Sequence, residues 1–125
     1  MLKKPLMKIQ THLINGIKIA EIKSDNIIIN SAEDGLDLLG NLYYQDFDKI
    51  IIQEQNINAN FFDLKTGIAG EILQKFSNYR VSLAIVGDFE KYSSKSLKDF
   101  ILESNKTKHI CFVDNVSNAL SKLTL

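Results

Sequence analysis

The fold is decided by residues 49–89, which read KIIIQEQNINANFFDLKTGIAGEILQKFSNYRVSLAIVGDF. Short apolar runs at residues 50–52 and 81–86 are typical of buried strands. Between them, apolar side chains recur every three or four residues, as on one face of an amphipathic helix: Phe61, Leu64, Ile68, Ile72 and Phe76. The stretch therefore predicts a βαβ crossover, with a loop over residues 56–60 and an amphipathic segment over residues 61–76 whose helix opens at Asp63, so that Thr66 and Gly67 fall in its first turns.

The residues before this stretch predict antiparallel strands followed by a helix. Apolar residues in 7–14 and 17–22 flank Asn15-Gly16, a pair that tolerates the positive φ angles of a tight hairpin turn. The apolar run 27–29 follows a second turn at residues 24–26, so the chain is expected to begin with two or three antiparallel strands. Ser31, followed three residues later by an aspartate, predicts a helix start, and that helix is expected to end near Gln45.

The residues after it predict two more helices around a last strand. The serines at 93, 94 and 96 indicate the start of a third helix that ends near Asn105. A strand is expected over residues 109–113, and Asp114 or Asn115 is expected to cap a closing helix. We therefore predict an α/β fold whose mixed sheet has an N-terminal antiparallel hairpin and later parallel strands, with four helices and right-handed crossovers.

Composition places the chain among ordinary globular domains. Its 125 residues, 45% hydrophobic and 24% charged, predict one domain over residues 1–125. Fifteen basic residues balance fifteen acidic ones, so we expect neither nucleic acid nor a membrane as partner. Cys111 has no second cysteine to pair with, and His12 and His109 are far apart in sequence, so we expect no metal, no cofactor and a cytoplasmic location.

The order of elements, with FDLKTGIAG at residues 62–70, resembles the sulfate-transporter and anti-sigma-antagonist (STAS) domain. In that family a strand runs into an Asp-Ser-Ser-Gly-Leu-Gly type motif at the start of the second helix, and a partner kinase phosphorylates the serine beside the glycine. Thr66-Gly67 occupies the Ser-Gly place in this chain, while Asp63 lies one residue further from the hydroxyl. The resemblance implies a STAS-like fold and a phosphoacceptor at Thr66.

About two-thirds of the chain also resembles a bacterial family known as a domain of unknown function, DUF4180. The resemblance is carried by residues 61–76, 83–89 and 94–101, which read FFDLKTGIAGEILQKF, LAIVGDF and SKSLKDFI. It implies membership of that family and no particular activity.

Our first interpretation is a regulatory domain that binds an unknown protein partner through the start of the second helix and the loop before it. We favour a non-enzymatic role over an enzymatic one. Thr66 is the candidate phosphoacceptor, because a phosphate there would meet helix N-terminal N–H groups and add about two negative charges. The candidate contact residues are Asn56, Asn58, Asn60, Asp63, Lys65 and Gly67. The alternative for Thr66 is an ordinary threonine at a helix start.

The second interpretation is a small ligand-binding or metal-binding domain, enzymatic or not, that uses carboxylates. Glu54, Asp88 and Asp114 each follow an apolar strand, and ligands of open α/β sheets bind outside the carboxyl ends of the strands. Asp88 and Asp114 are equally well explained as turn or cap residues. A structural subunit that forms a homodimer is a third interpretation.

Overall fold

A computed structural model describes residues 7–125, which form one five-stranded sheet and four α-helices. The strands and helices are β1 (Lys8–Ile14), β2 (Ile17–Lys23), α1 (Ala32–Tyr44), β3 (Lys49–Gln53), α2 (Ile68–Asn78), β4 (Ser82–Val86), α3 (Lys95–Ser104), β5 (Ile110–Val113) and α4 (Val116–Leu123). Three short 3-10 turns, Glu54–Asn56, Ala59–Phe62 and Leu64–Thr66, connect β3 to α2. The predicted α/β class, with an antiparallel hairpin and later parallel strands, is confirmed.

The sheet has the sequential strand order β1-β2-β3-β4-β5. β1 pairs antiparallel with β2, and β2, β3, β4 and β5 are parallel neighbours. Every crossover therefore moves one strand further in the same direction. Because the strand order never reverses, the sheet has no switch point of the kind that opens a ligand crevice in doubly wound folds.

This topology gives the two faces of the sheet unequal cover. One face packs against α1, α2 and α3 in a core that includes Leu42, Ile50, Ile72 and Phe76. The other face packs against α4, which contributes Ala119 and Leu123 to a smaller core. Successive residues of β3 point alternately to the two cores, so the parallel strands are apolar on both faces, as their sequences predict.

The predicted turns and helix caps are mostly confirmed. Asn15 and Gly16 both have positive φ, which is the geometry of a two-residue hairpin turn. The Ser31 side chain accepts from the N–H of Asp34 at the start of α1, and the Ser94 and Asn115 side chains cap α3 and α4 in the same way. Asn115, and not Asp114, is thus the cap of the last helix.

Of the two or three N-terminal strands predicted, the one at residues 27–29 does not form. The N–H groups of Ile28 and Ile29 both donate to the carbonyl of Asn56, at 2.7 and 3.1 Å, and the segment contributes a single β-bridge between Ile29 and Ile57. Because β2 pairs directly with β3, this run has no place in the sheet. Ile29 instead lies fully buried in the core under α1 to α3.

The predicted start of the second helix at Asp63 is wrong, because α2 begins at Ile68. The Asn58 and Asp63 side chains accept from the N–H groups of Asn60 and Lys65, so each starts a 3-10 turn. A 3-10 helix repeats every three residues, so its apolar side chains show nearly the spacing of an α-helix. The hydrophobic pattern could not separate the two structures.

Candidate functional site

The carboxyl ends of β3, β4 and β5 meet at one edge of the sheet, and two adjoining clefts open there. Both are bordered by Gln53, Val86 and Gly87. The larger has a volume of about 1020 Å³ and extends along α3, and the smaller, of about 400 Å³, extends over the 3-10 turns. The edge of the sheet at which the second interpretation places a ligand site is thus concave.

The structure distributes the three predicted carboxylates over these two clefts. Asp88 and Asp114 line the larger cleft, and Glu54 lines the smaller one. Asp114 accepts from the side chain of Asn118 at 2.6 Å, and Asp88 accepts from a backbone N–H two residues further along. Within residues 7–125, no group of three or more His, Cys, Asp or Glu side chains is placed to hold a metal ion. Both aspartates therefore have local structural roles.

Glu54 is the centre of a half-buried polar cluster in the smaller cleft. Its carboxylate accepts from the Tyr92 hydroxyl and lies 2.8 Å from Nζ of Lys91. A Cβ added to Gly87 would lie 2.6 Å from the Glu54 Cβ, so a larger residue at 87 would displace this side chain. The Tyr92 ring also stacks on Phe62, with ring centroids 5.1 Å apart. Glu54 thus fastens the loop after β4 to the turns after β3.

Burial of the Tyr92 hydroxyl and its bond to the Glu54 carboxylate both raise the pKa of this tyrosine well above its usual value. Tyr92 therefore stays protonated and keeps donating to Glu54 across the physiological pH range. Sequence reasoning did not identify Tyr92 as a partner of Glu54. The two residues are 38 positions apart, and no local pattern connects them.

A second candidate region is the exposed surface of residues 58–67, which we call the Thr66 surface. Asn60, Asp63, Lys65, Thr66 and Gly67 are exposed, and Asn58 is half-buried. The phenylalanines at 61 and 62 are buried beneath them. The structure therefore brings six of the seven residues proposed for partner recognition, counting Thr66, to one solvent-facing segment.

The hydroxyl of Thr66 is part of the backbone scaffold of this surface. Its single hydrogen is shared between the carbonyls of Asn60 and Asp63, which lie 2.9 and 2.8 Å from the hydroxyl oxygen, and that oxygen accepts from the N–H of Ile68 at 3.3 Å. Gly67 follows with a φ of +78°, which favours glycine, and is the N-cap of α2. The sequence predicted Thr66 in the first turns of the helix, and this is wrong, because Thr66 ends a 3-10 turn just before α2.

Asn56 does not belong to this surface, which corrects its assignment as a contact residue. It is 1% exposed, and its side-chain amide donates to the carbonyls of Ser24 and Asn26, both at 2.8 Å. Its backbone carbonyl accepts from the two N–H groups of the 28–29 segment. Asn56 is therefore an internal anchor for the connection between β2 and α1.

The single cysteine is a core residue. Cys111 lies on β5 beneath α4 and is 6% exposed. Burial raises the pKa of its thiol and outweighs the lowering effect of Lys122, so the reactive thiolate is disfavoured. The described part of the chain also contains no helix that combines the length and the apolar character needed to cross a bilayer.

Comparison with known proteins supplies the family. A family model described as "Domain of unknown function (DUF4180)" matches residues 14–123, which include β2 to β5 and all four helices. Neither the curated proteins nor the solved structures contain a significant match to this chain. Since the match covers β2 to β5, both clefts and the Thr66 surface, the chain belongs to the DUF4180 family.

Proposed function

We propose that this chain is a non-enzymatic regulatory domain that works in the bacterial cytoplasm and binds a protein partner through the Thr66 surface. The observation that supports it is a row of polar side chains held at the surface by their own hydrogen bonds. An ordered surface of this kind loses little conformational entropy when a partner binds, which favours affinity. The STAS-like order of elements, with a hydroxyl-glycine pair at this point, agrees with such a role.

Phosphorylation of Thr66 is the switch in this proposal. The modification replaces the hydroxyl hydrogen, so the bonds donated to the carbonyls of Asn60 and Asp63 are lost. It also adds about two negative charges close to the Asp63 carboxylate. We expect the 3-10 turn Leu64–Thr66 to open, which would remove the surface that the partner recognises.

The test compares partner capture by the wild-type protein with capture by Thr66→Glu and Thr66→Val from a lysate of the native host. The glutamate introduces a charge, while the valine removes the hydroxyl without one. We expect both variants to lose the captured protein, which mass spectrometry identifies. Incubation with host kinases, followed by mapping of modified residues, tests the phosphorylation itself.

Thr107 provides a matched control. Its hydroxyl is also exposed, donates to the carbonyl three residues earlier at 2.8 Å, and accepts from an N–H two residues later. Thr107→Glu and Thr107→Val therefore make the same local change elsewhere on the molecule. Partner capture that survives Thr66→Glu, or that Thr107→Glu reduces equally, would contradict the proposal.

A second candidate function is ligand binding at the carboxyl edge of the sheet, which the cleft of about 1020 Å³ favours. Asp88 and Asp114 on its wall would contact the ligand, and Glu54 would contribute from the adjoining cleft. Thermal unfolding with added nucleotides or divalent cations tests this, since a ligand of the native state raises Tm. The expected gain should disappear in an Asp88→Asn/Asp114→Asn double variant.

A further inference from the structure

Within residues 7–125, the outer edge of β1 is a strand edge with no paired neighbour. β1 is 7 residues long, and its pairing with β2 runs without a bulge from Lys8 to Ile14. Natural edge strands are usually protected by proline, bulges, central charges or short length. β1 has no proline, and its one lysine stands at its first position. Leu13, near the other end, is 72% exposed.

The opposite edge of the same sheet is protected. β5 has only 4 residues, and the side chain of Asn105 satisfies the outward backbone groups of Phe112 in this strand. Asn105 accepts from the N–H of Phe112 at 2.7 Å and donates to the carbonyl of Phe112 at 3.2 Å. The molecule thus blocks one edge with a dedicated side chain and leaves the other edge able to pair.

The hairpin turn determines which backbone groups β1 presents outward. Residues that flank a two-residue hairpin loop exchange hydrogen bonds, and every second residue along the strand does the same. Here the flanking residues are Ile14 and Ile17, so the even-numbered residues of β1 bond to β2. The N–H and C=O groups of Ile9, Thr11 and Leu13 therefore point away from the sheet.

These three residues are complementary to a second copy of themselves. In an antiparallel pair centred on Thr11, Ile9 of one chain lies opposite Leu13 of the other. The exposed Leu13 side chain then gains an apolar neighbour, which is the kind of cross-strand pair that stabilises sheets. Lys8 lies opposite Ile14, so the basic residues do not face each other. All outward N–H and C=O groups of one strand meet partners in the other.

We propose that β1 pairs with β1 of a second copy of this chain, antiparallel about Thr11, to form a homodimer with one continuous sheet. The interface uses residues that the Thr66 surface does not contain, so it does not depend on the proposed function. A contact between two strands is small beside the roughly 800 Å² per partner of a standard interface. We therefore expect a dimer that dissociates on dilution.

The test measures molecular mass against protein concentration by sedimentation velocity, for the wild type, Thr11→Pro and Thr11→Ala. Proline removes an outward N–H without removing a bond to β2, and such a proline is compatible with an edge strand. We expect Thr11→Pro to raise the dimer Kd at least about tenfold, because each dimer loses both Thr11 N–H bonds. Thr11→Ala keeps the N–H and should keep the dimer. Melting curves show whether each variant is folded.

Thiol cross-linking provides a second measurement. In the proposed register the two Thr11 Cα atoms are about 5.5 Å apart, but they form a hydrogen-bonded pair, whose Cβ atoms are farther apart than in an unstrained disulfide. A short bifunctional thiol reagent should therefore convert Thr11→Cys into a covalent dimer readily. Leu102→Cys, at a leucine that is 60% exposed on α3, is the matched control. Wild type reports any reaction of the buried native cysteine.

Several results would overturn the proposal. A wild-type protein that stays monomeric at millimolar concentration has no self-pairing edge. A dimer that Thr11→Pro leaves intact uses a different surface. A wild-type monomer that binds an extended peptide, and loses it in Thr11→Pro, would assign the edge to another protein.

Discussion

We expect the substitution of glycine by alanine to have opposite effects on stability at two positions of α1. Because glycine has a low helix propensity, Gly35 and Gly40 each make the helix about 1 kcal/mol less stable than alanine would. A Cβ added at Gly40 meets no atom within 4 Å. A Cβ added at Gly35 would lie 2.6 Å from Cδ1 and 2.8 Å from Cγ1 of Ile72 on α2. Propensity favours alanine at both sites, and packing opposes it at one.

The magnitudes decide the sign at Gly35. Carbon atoms in favourable contact are about 3.5–4.0 Å apart, so the new methyl group would be roughly 1 Å too close to Ile72. Overpacking of this kind costs about 1–3 kcal/mol, which exceeds the propensity gain. We expect Gly35→Ala to lower the free energy of unfolding by about 1 kcal/mol. We expect Gly40→Ala to raise it by up to about 1 kcal/mol.

Urea unfolding followed by circular dichroism measures both effects. With a slope near 2 kcal/mol/M, the two midpoints should differ by about 1 M in urea. Truncating the neighbour provides the control, because in an Ile72→Ala background Gly35→Ala should become stabilising. Equal stabilisation by Gly35→Ala and Gly40→Ala in the wild-type background would refute the close packing of α1 on α2.

Two further predictions concern the sheet. Asn105→Ala should lower the free energy of unfolding by about 2 kcal/mol, since two bonds to Phe112 are lost, and should speed hydrogen exchange of the Phe112 amide. Glu21 is 3% exposed; burial raises its pKa, but bonds to His12 and Lys23 outweigh that effect and lower the pKa below its ordinary value of 4.5. Its stabilising contribution is therefore present above pH 4.5 and is lost as the pH falls. Wild type should lose more stability than Glu21→Gln between about pH 5 and pH 3 in thermal melts, and equal losses would contradict this account.

The predicted site residues were only partly identifiable from the sequence. Thr66 and its neighbours are adjacent in the chain, so their grouping followed from the sequence. The partners of Glu54 could not be predicted, because Tyr92 reaches it from the loop after β4. Asn56 looked like an exposed loop residue, yet its side chain binds carbonyls about thirty residues earlier in the chain.

What the sequence determined by itself is the set of local elements. The Asn15-Gly16 turn and the caps at Ser31, Ser94 and Asn115 depend on backbone preferences and hydrogen bonds within a few residues. The parallel strands could be predicted because a strand that is buried on both faces has to be apolar throughout. Local sequence carries enough information for these features because the interacting groups are neighbours in the chain.

Only the tertiary structure decided where ambiguous apolar runs would lie. Residues 27–29 have the composition of a strand, but the backbone of Asn56 binds them outside the sheet because β2 and β3 are already paired. The residues between Phe61 and Ile68 have helical spacing, but side-chain bonds and the left-handed Gly67 divide them into 3-10 turns. In both places, hydrogen bonds that the hydrophobic pattern does not encode determine the conformation.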